Sequence, residues 1–144
     1  EIARDNFYSF AESAEANSFY KEHGRYPHAA ISPALATRFV RITLVNPRLT
    51  ERLTIDLALE YEDMRHHTRA SIPTMAIVEL KQDGNAISEL KSTMLDMRIR
   101  PLKVSKYCLG TTLTVEGIKC NRFKAKLRNI AKRLGTNQII KTNK

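Results

Sequence analysis

The sequence predicts an α+β domain built on antiparallel strands, and three observations carry that prediction. Residues 36–45 and 51–61 are both rich in β-branched and apolar residues, and the short link Asn46–Thr50 can join them only as an antiparallel hairpin. Helical spacing appears in separate blocks, before the strands and after them, so no β-α-β alternation builds a parallel sheet. Finally, 144 residues with 42% hydrophobic side chains suffice for one core without disulfide or metal support.

The elements follow in order. Asp5 to His23 reads as a helix, with Phe7, Phe10, Ala11, Ala14 and the stretch Ala16 to Tyr20 on its apolar stripe, Asp5 or Asn6 as cap and Gly24 as stop. A loop punctuated by Gly24, Pro27 and Pro33 leads to the first strand, Ala36 to Val45. In the second, Glu51 to Tyr61, alternation puts Leu53, Ile55, Leu57, Leu59 and Tyr61 on one face and Arg52, Thr54, Asp56, Ala58 and Glu60 on the other. Pro73 to Lys81 reads as a third strand, ended by the turn Gln82 to Asn85. Ala86 to Met97 returns to helical spacing through Ile87, Leu90, Met94 and Leu95. Ser105 to Val115 fits either a strand, by its threonines, or a helix, by Val104, Cys108, Thr111 and Val115. Asn121 to Leu134 is an amphipathic helix with Phe123, Leu127, Ile130 and Leu134 on its buried side. Residues 1–134 are expected to form a single domain and residues 135–144 a flexible basic tail.

Charge is distributed unevenly. The net charge is +9, but residues up to 118 hold equal numbers of acids and bases, and the excess begins at Lys119. A neutral body thus carries a basic closing helix and tail. Cys108 and Cys120 lack metal-ligand or C-x-x-C spacing, which predicts free thiols in a reducing compartment, the cytoplasm. No apolar run has the length of a membrane span. The first residue is Glu1 rather than Met, which we read as a fragment or a processed product.

Several residues carry chemistry. Glu79 and Lys81 share a strand face with Met75 and Ile77. A carboxylate beside an ammonium suits a site holding a divalent cation and a phosphate oxygen together, although a single E-x-K is more often a surface ion pair. Arg38 and Arg41 face opposite ways, and Arg52 lies on a polar face with Thr54 and Asp56. An arginine fork matches phosphate oxygens. Lys103 and Lys106 flank Ser105 beyond the stretch Arg98 to Pro101. His66-His67 reads as a solvated loop without a third ligand, and His23 and His28 flank a turn. There is no glycine-rich phosphate loop and no nucleophile motif.

The order of these pieces carries a resemblance. RFVR at 38–41, ERLTID at 51–56, AIVELK at 76–81, RIRP at 98–101 and VSKY at 104–107 resemble the C-terminal half of the vacuolar transporter chaperone (VTC) domain. That domain is the polyphosphate polymerase branch of the triphosphate tunnel metalloenzymes, the CYTH-like superfamily. The resemblance runs from about Ala34 to about Arg133 and includes NRFKAKLR from Asn121, a stretch common in bacterial members.

The resemblance implies a partial triphosphate-tunnel barrel, phosphoryl transfer from ATP to polyphosphate, and a divalent metal, Mn²⁺ or Mg²⁺. It implies Glu79 as metal ligand and Arg41, Arg52, Lys103 and Lys106 as phosphate ligands, with Val104 where the family has an aromatic residue. Lys81 joins them through sheet alternation. Three or four strands cannot close an eight-stranded tunnel, so the chain is expected to be inactive alone, and to pair with another copy or a missing N-terminal half. Two other readings stand beside this one. In the first, a basic module docks its C-terminal helix on nucleic acid or an anionic membrane; in the second, the chain is a structural half-domain without a ligand.

Overall fold

The computed structural model describes residues 13–24, 32–84 and 87–135. The first helix, α1, spans Ala14–His23; the Ser13 hydroxyl caps it by accepting from the Ala16 N–H, and the Gly24 N–H donates to the Tyr20 carbonyl at its end. The remainder of the expected helix, with Asp5 and Asn6, lies outside the described residues, as do Pro27 and His28.

A four-stranded antiparallel sheet follows, comprising β1 (Leu35–Val45), β2 (Glu51–Asp63), β3 (Arg69–Ile72) and β4 (Ile77–Gln82). The long strand β2 is central. β1 pairs along one side of it, while β3 and β4 share the other side end to end, β3 on Leu59–Glu62 and β4 on Glu51–Asp56. The sheet is α+β in class and open, as expected.

Its third strand is not where the sequence placed it. Pro73 to Ala76 form a turn, with the Met75 N–H donating to the Ile72 carbonyl at 3.2 Å, and β4 begins only at Ile77. Proline has no N–H to add to a ladder, and the chain turns there. Met75 is therefore a buried turn residue, not a member of the Glu79 strand face. β3 falls in a stretch that the sequence assigns to no element, since only Ile72 of its four residues is buried and no period of two can show.

A second correction concerns the alternation in β2. Arg38 pairs with Glu60 but Val40 pairs with Leu57, so β2 holds one extra residue at this point, and Ala58 takes a left-handed φ of 52°. This is a β-bulge, and it exchanges the faces of everything beyond it. Leu59 and Tyr61 consequently lie on the face of Arg52, Thr54 and Asp56, where they are fully buried, whereas Glu60 and Glu62 move to the other face.

Of the three helices that follow, the last two close that buried face. α2 (Glu89–Asp96) starts at Ser88, whose hydroxyl accepts from the Lys91 N–H at 3.1 Å. Ile87, expected on its apolar stripe, precedes the cap and is 94% exposed. The segment from Ser105 resolves as a helix, α3 (Lys106–Thr114), capped by the Ser105 hydroxyl. Its threonines fit because Thr111, Thr112 and Thr114 each return the hydroxyl to the carbonyl four residues back, at 2.7–2.9 Å. After a 3₁₀ turn at Asn121–Phe123, α4 (Lys124–Leu134) buries Leu127, Ile130 and Ala131 and ends at the left-handed Gly135. Leu59, Tyr61, Ile72, Met75, Leu109, Leu127 and Ile130 form the core. Among the described residues no helix is long and apolar enough to cross a membrane.

Two substitutions test this packing. A Cβ at Gly110 would overlap the Tyr61 ring and lie 2.8 Å from a Leu35 methyl, so Gly110→Ala should destabilise by about 1–3 kcal/mol in denaturant titrations. Ala58→Gly relieves the bulge and should be neutral or stabilising by up to about 1 kcal/mol, whereas Ala58→Val should destabilise.

Candidate functional site

Strand register places three cross-strand rows on the face of β2 that α3 approaches. The first row is Arg41, Asp56 and Ile77; the second is Thr43, Thr54 and Glu79; the third is Val45, Arg52 and Lys81. Residues paired directly across antiparallel strands point the same way, so Arg41, Arg52, Glu79 and Lys81 share one face. Successive rows stand about 7 Å apart, which makes the patch about 13 Å long.

Asp56 organises one end of it. Its side chain is 1% exposed and accepts a two-pronged contact from Arg41, Nε to Oδ1 at 2.6 Å and Nη2 to Oδ2 at 2.9 Å. Lys106, the first residue of α3, reaches the same carboxylate, Nζ to Oδ2 at 2.6 Å. The Phe39 ring lies beneath both cations, 4.9 Å from the Arg41 guanidinium carbon and 5.3 Å from the Lys106 nitrogen. Such a buried carboxylate is stable only because both cations satisfy it. The Arg41 hydrogen bond, aided by Lys106 and opposed by desolvation, holds the Asp56 carboxyl down at about 2. The Arg41 guanidinium is correspondingly raised, chiefly by the hydrogen bond to Asp56, with a smaller contribution from Glu79.

The other end is more open. Lys81 Nζ lies 3.5 Å from Glu79 Oε1, both side chains about half exposed, and Arg52 is exposed beside Lys81. Lys103 is exposed in the link ahead of α3, outside the three rows. Arg38 is directed to the opposite face, where it and Arg69 hold the buried Glu62 carboxylate at 3.0 and 3.1 Å. The His66-His67 pair is largely exposed, yet His66 Nδ1 lies 2.7 Å from the buried Asp63. Cys108 and Cys120 are free thiols. Among the described residues no group of three or more His, Cys, Asp or Glu is placed to hold a metal by itself.

Sequence reasoning placed Asp56 on the polar face but gave it no role. Its signal is a carboxylate on a strand opposite Arg41, visible only once the hairpin register is known.

The sign of the Asp56 contribution is fixed by its lowered pKa. A carboxylate held at about 2, against 3.8 when unperturbed, adds stability above pH 4 that is lost as the pH falls toward 2. Asp56→Asn should lose about 2 kcal/mol at pH 6, and the difference from wild type should shrink toward zero near pH 2. Urea titrations of the two proteins across that range measure it. Taking the difference removes Glu62 and Asp63, also lowered, by Arg38 and Arg69 and by the Arg65 N–H and His66 respectively.

No curated protein and no solved structure matches the chain. The family model of the VTC domain matches residues 5–115, a span that includes all four strands, α2, α3 and every residue of the three rows. It starts upstream of the motif resemblance at Ala34 and stops short of α4. With more than half of its length matched, the chain belongs to the VTC domain family.

Proposed function

We propose that the face carrying Arg41, Arg52, Lys81 and Lys106 binds a linear condensed phosphate, the triphosphate of ATP or a polyphosphate chain, as part of a polyphosphate polymerase site. The VTC domain family is related to polyphosphate polymerases. The observation that carries the reading is the arrangement of charge in rows. Arg41 and Lys106 mark one end, Arg52 and Lys81 the other, and Glu79 lies between them. Two cationic ends about 13 Å apart suit an elongated anion better than a single orthophosphate. Arg52 and Lys81 are also directly opposed like charges; Glu79 offsets part of that repulsion, and a bound anion would offset more.

The donor set fits a divalent metal shared with the substrate. Glu79 is a half-exposed carboxylate beside Lys81, and directly across from it the buried Thr54 hydroxyl oxygen has no hydrogen-bond partner among the described residues. Mg²⁺ and Mn²⁺ sites of this kind use one or two protein oxygens and complete their shell with water and phosphate oxygens. Glu79 would hold such an ion, which would offset charge on the phosphate chain.

The chain's own residues supply position and charge. The planar Arg41 fork and the Lys106 ammonium are held by Asp56 before substrate arrives, so little reorganisation accompanies binding. Arg52 and Lys81 grip the other end and keep the phosphates extended. In the reaction, the terminal oxygen of a polyphosphate attacks the ATP γ-phosphorus and the bond to the β-phosphate oxygen breaks, leaving ADP. In-line positioning and charge offset are the main contributions a protein makes to that transfer.

Calorimetry tests the reading. The chain should bind tripolyphosphate at least about tenfold more tightly than orthophosphate. Arg52→Ala and Lys106→Ala should each weaken tripolyphosphate by about tenfold, and Glu79→Gln should remove the enhancement by Mn²⁺ while leaving metal-free binding near wild type. Equal affinity for both anions, or binding unchanged in all three variants but lost when the α4 cations are neutralised, would overturn it in favour of the basic helix.

A further inference from the structure

The cations of α4 divide into two flanks, and one of them faces the link that carries Lys103. Helical geometry points Lys126 and Arg133 within about 20° of each other. Lys124, Arg128 and Lys132 lie on the other side of the buried stripe of Leu127, Ile130 and Ala131. Lys126 shares a shallow hollow with Val104, Ser105 and Ile130, and Arg133 Nη1 donates to the Arg100 carbonyl at 3.5 Å. Residues 100–105 therefore run beside residues 126–133 in the opposite direction. The Lys126 ammonium stands 5.5 Å from the centre of the Phe123 ring, the kind of support that Phe39 gives to Arg41 and Lys106.

This boundary between link and helix carries one sign of charge. Arg100 and Lys103 are exposed on the link and Arg133 is exposed on the helix, with Lys126 half-buried between them and the hollow. Glu116 is the only acid in the sequence after Asp96. Elsewhere Arg38, Arg41, Arg69, Lys81 and Lys106 each have a carboxylate partner. Among the described residues none of Arg100, Lys103, Lys126 and Arg133 has one. Four cations held together without a counter-charge are an anion-binding strip. It starts at Ser105, directly before Lys106, so it adjoins the Arg41 end of the phosphate face, and from Lys126 to Arg133 it extends about 10 Å.

We infer that Arg100, Lys103, Lys126 and Arg133 form a second binding segment for a long polyphosphate, holding the phosphates that extend beyond Lys106. The inference rests on the phosphate reading of the three rows and adds to it a preference for length. An anion that spans both segments binds the second at high effective concentration once it occupies the first, whereas a triphosphate reaches one alone. Lys126 and Arg133 lie beyond residues 5–115, so they are additional to the ligands the family resemblance implies. A nucleic-acid strand would also need ring faces on which to stack its bases, and the aromatic ring in the hollow, Phe123, has Lys126 over it.

Calorimetry with the whole chain compares tripolyphosphate with a linear polyphosphate of about fifteen units, long enough to reach both segments. A longer anion also has more registers on the three rows alone, so the strip is read from variants at fixed length. Lys126→Gln combined with Arg133→Gln should weaken the long anion by about tenfold and lower the slope of log affinity against log salt by about 1–2. The same variant should change tripolyphosphate affinity by less than about twofold. Lys124→Gln combined with Arg128→Gln removes equal charge from the other flank and should leave both anions within about twofold of wild type. Glutamine keeps part of each apolar stem, and a wild-type thermal melt shows the fold intact; Arg133→Gln alone, at an exposed position, should still cost the long anion about threefold. The inference is overturned if the Lys126 and Arg133 variants bind the long anion as wild type does, or if both pairs of substitutions weaken it equally. It is overturned too if an oligothymidylate of equal charge shows the same dependence. Failure of the strip alone leaves the effect of Arg52→Ala on tripolyphosphate in place; loss of that effect strikes the three rows, and the continuation with them.

Discussion

One additional residue in β2 decides how this small sheet is used. Without the bulge at Ala58, the side of β2 bearing Arg52, Thr54 and Asp56 would continue as Ala58, Glu60 and Glu62, a polar surface along the whole strand. With it, the same side continues as Leu59 and Tyr61, two fully buried core residues. A polar site and a hydrophobic core therefore sit end to end on one strand face. The single helix α3 can serve both, placing Lys106 on the polar end and Leu109 and Gly110 on the apolar one.

The electrostatics depend on that junction. Asp56 is the last polar residue before the bulge, close enough to the core to be shielded from water and to make its contacts with Arg41 and Lys106 strong. A carboxylate in this position lowers the net positive charge of this end, but it also keeps two long, flexible side chains from collapsing elsewhere. Arg41 loses rotamer freedom to the fork on Asp56 and to the Phe39 ring, so its guanidinium is already ordered in the folded chain.

The sequence made most elements legible, and its failures have identifiable causes. The hairpin, α4 and its buried stripe follow from periodicity over ten or more residues, where the signal is strongest. Both faces of β2 were readable up to Leu57 and wrong beyond it, because Ala at the bulge gives no warning that glycine would have given. The four residues of β3 are too few to show a period, and α3 was ambiguous because threonine favours strands unless its hydroxyl finds the preceding turn. Of the candidate site, Arg41, Arg52, Glu79, Lys81 and Lys106 are legible in the sequence, and register brings the four strand residues to one face. Lys103 lies apart from that face, and Asp56 was overlooked because only the pairing reveals what stands across from it.

The anchoring of α3 has a further consequence for motion. Gly110 lets the helix rest directly on the Tyr61 ring, and Lys106 lies one turn before it on the same rigid segment. No break in α3 separates the two, so the backbone that carries the ammonium stays in place as long as the helix rests on the core. The cationic end of the site and the hydrophobic interior thus open and close as one cooperative unit. Breathing of α3 therefore adds to side-chain rotation as a way for Lys106 to leave Asp56.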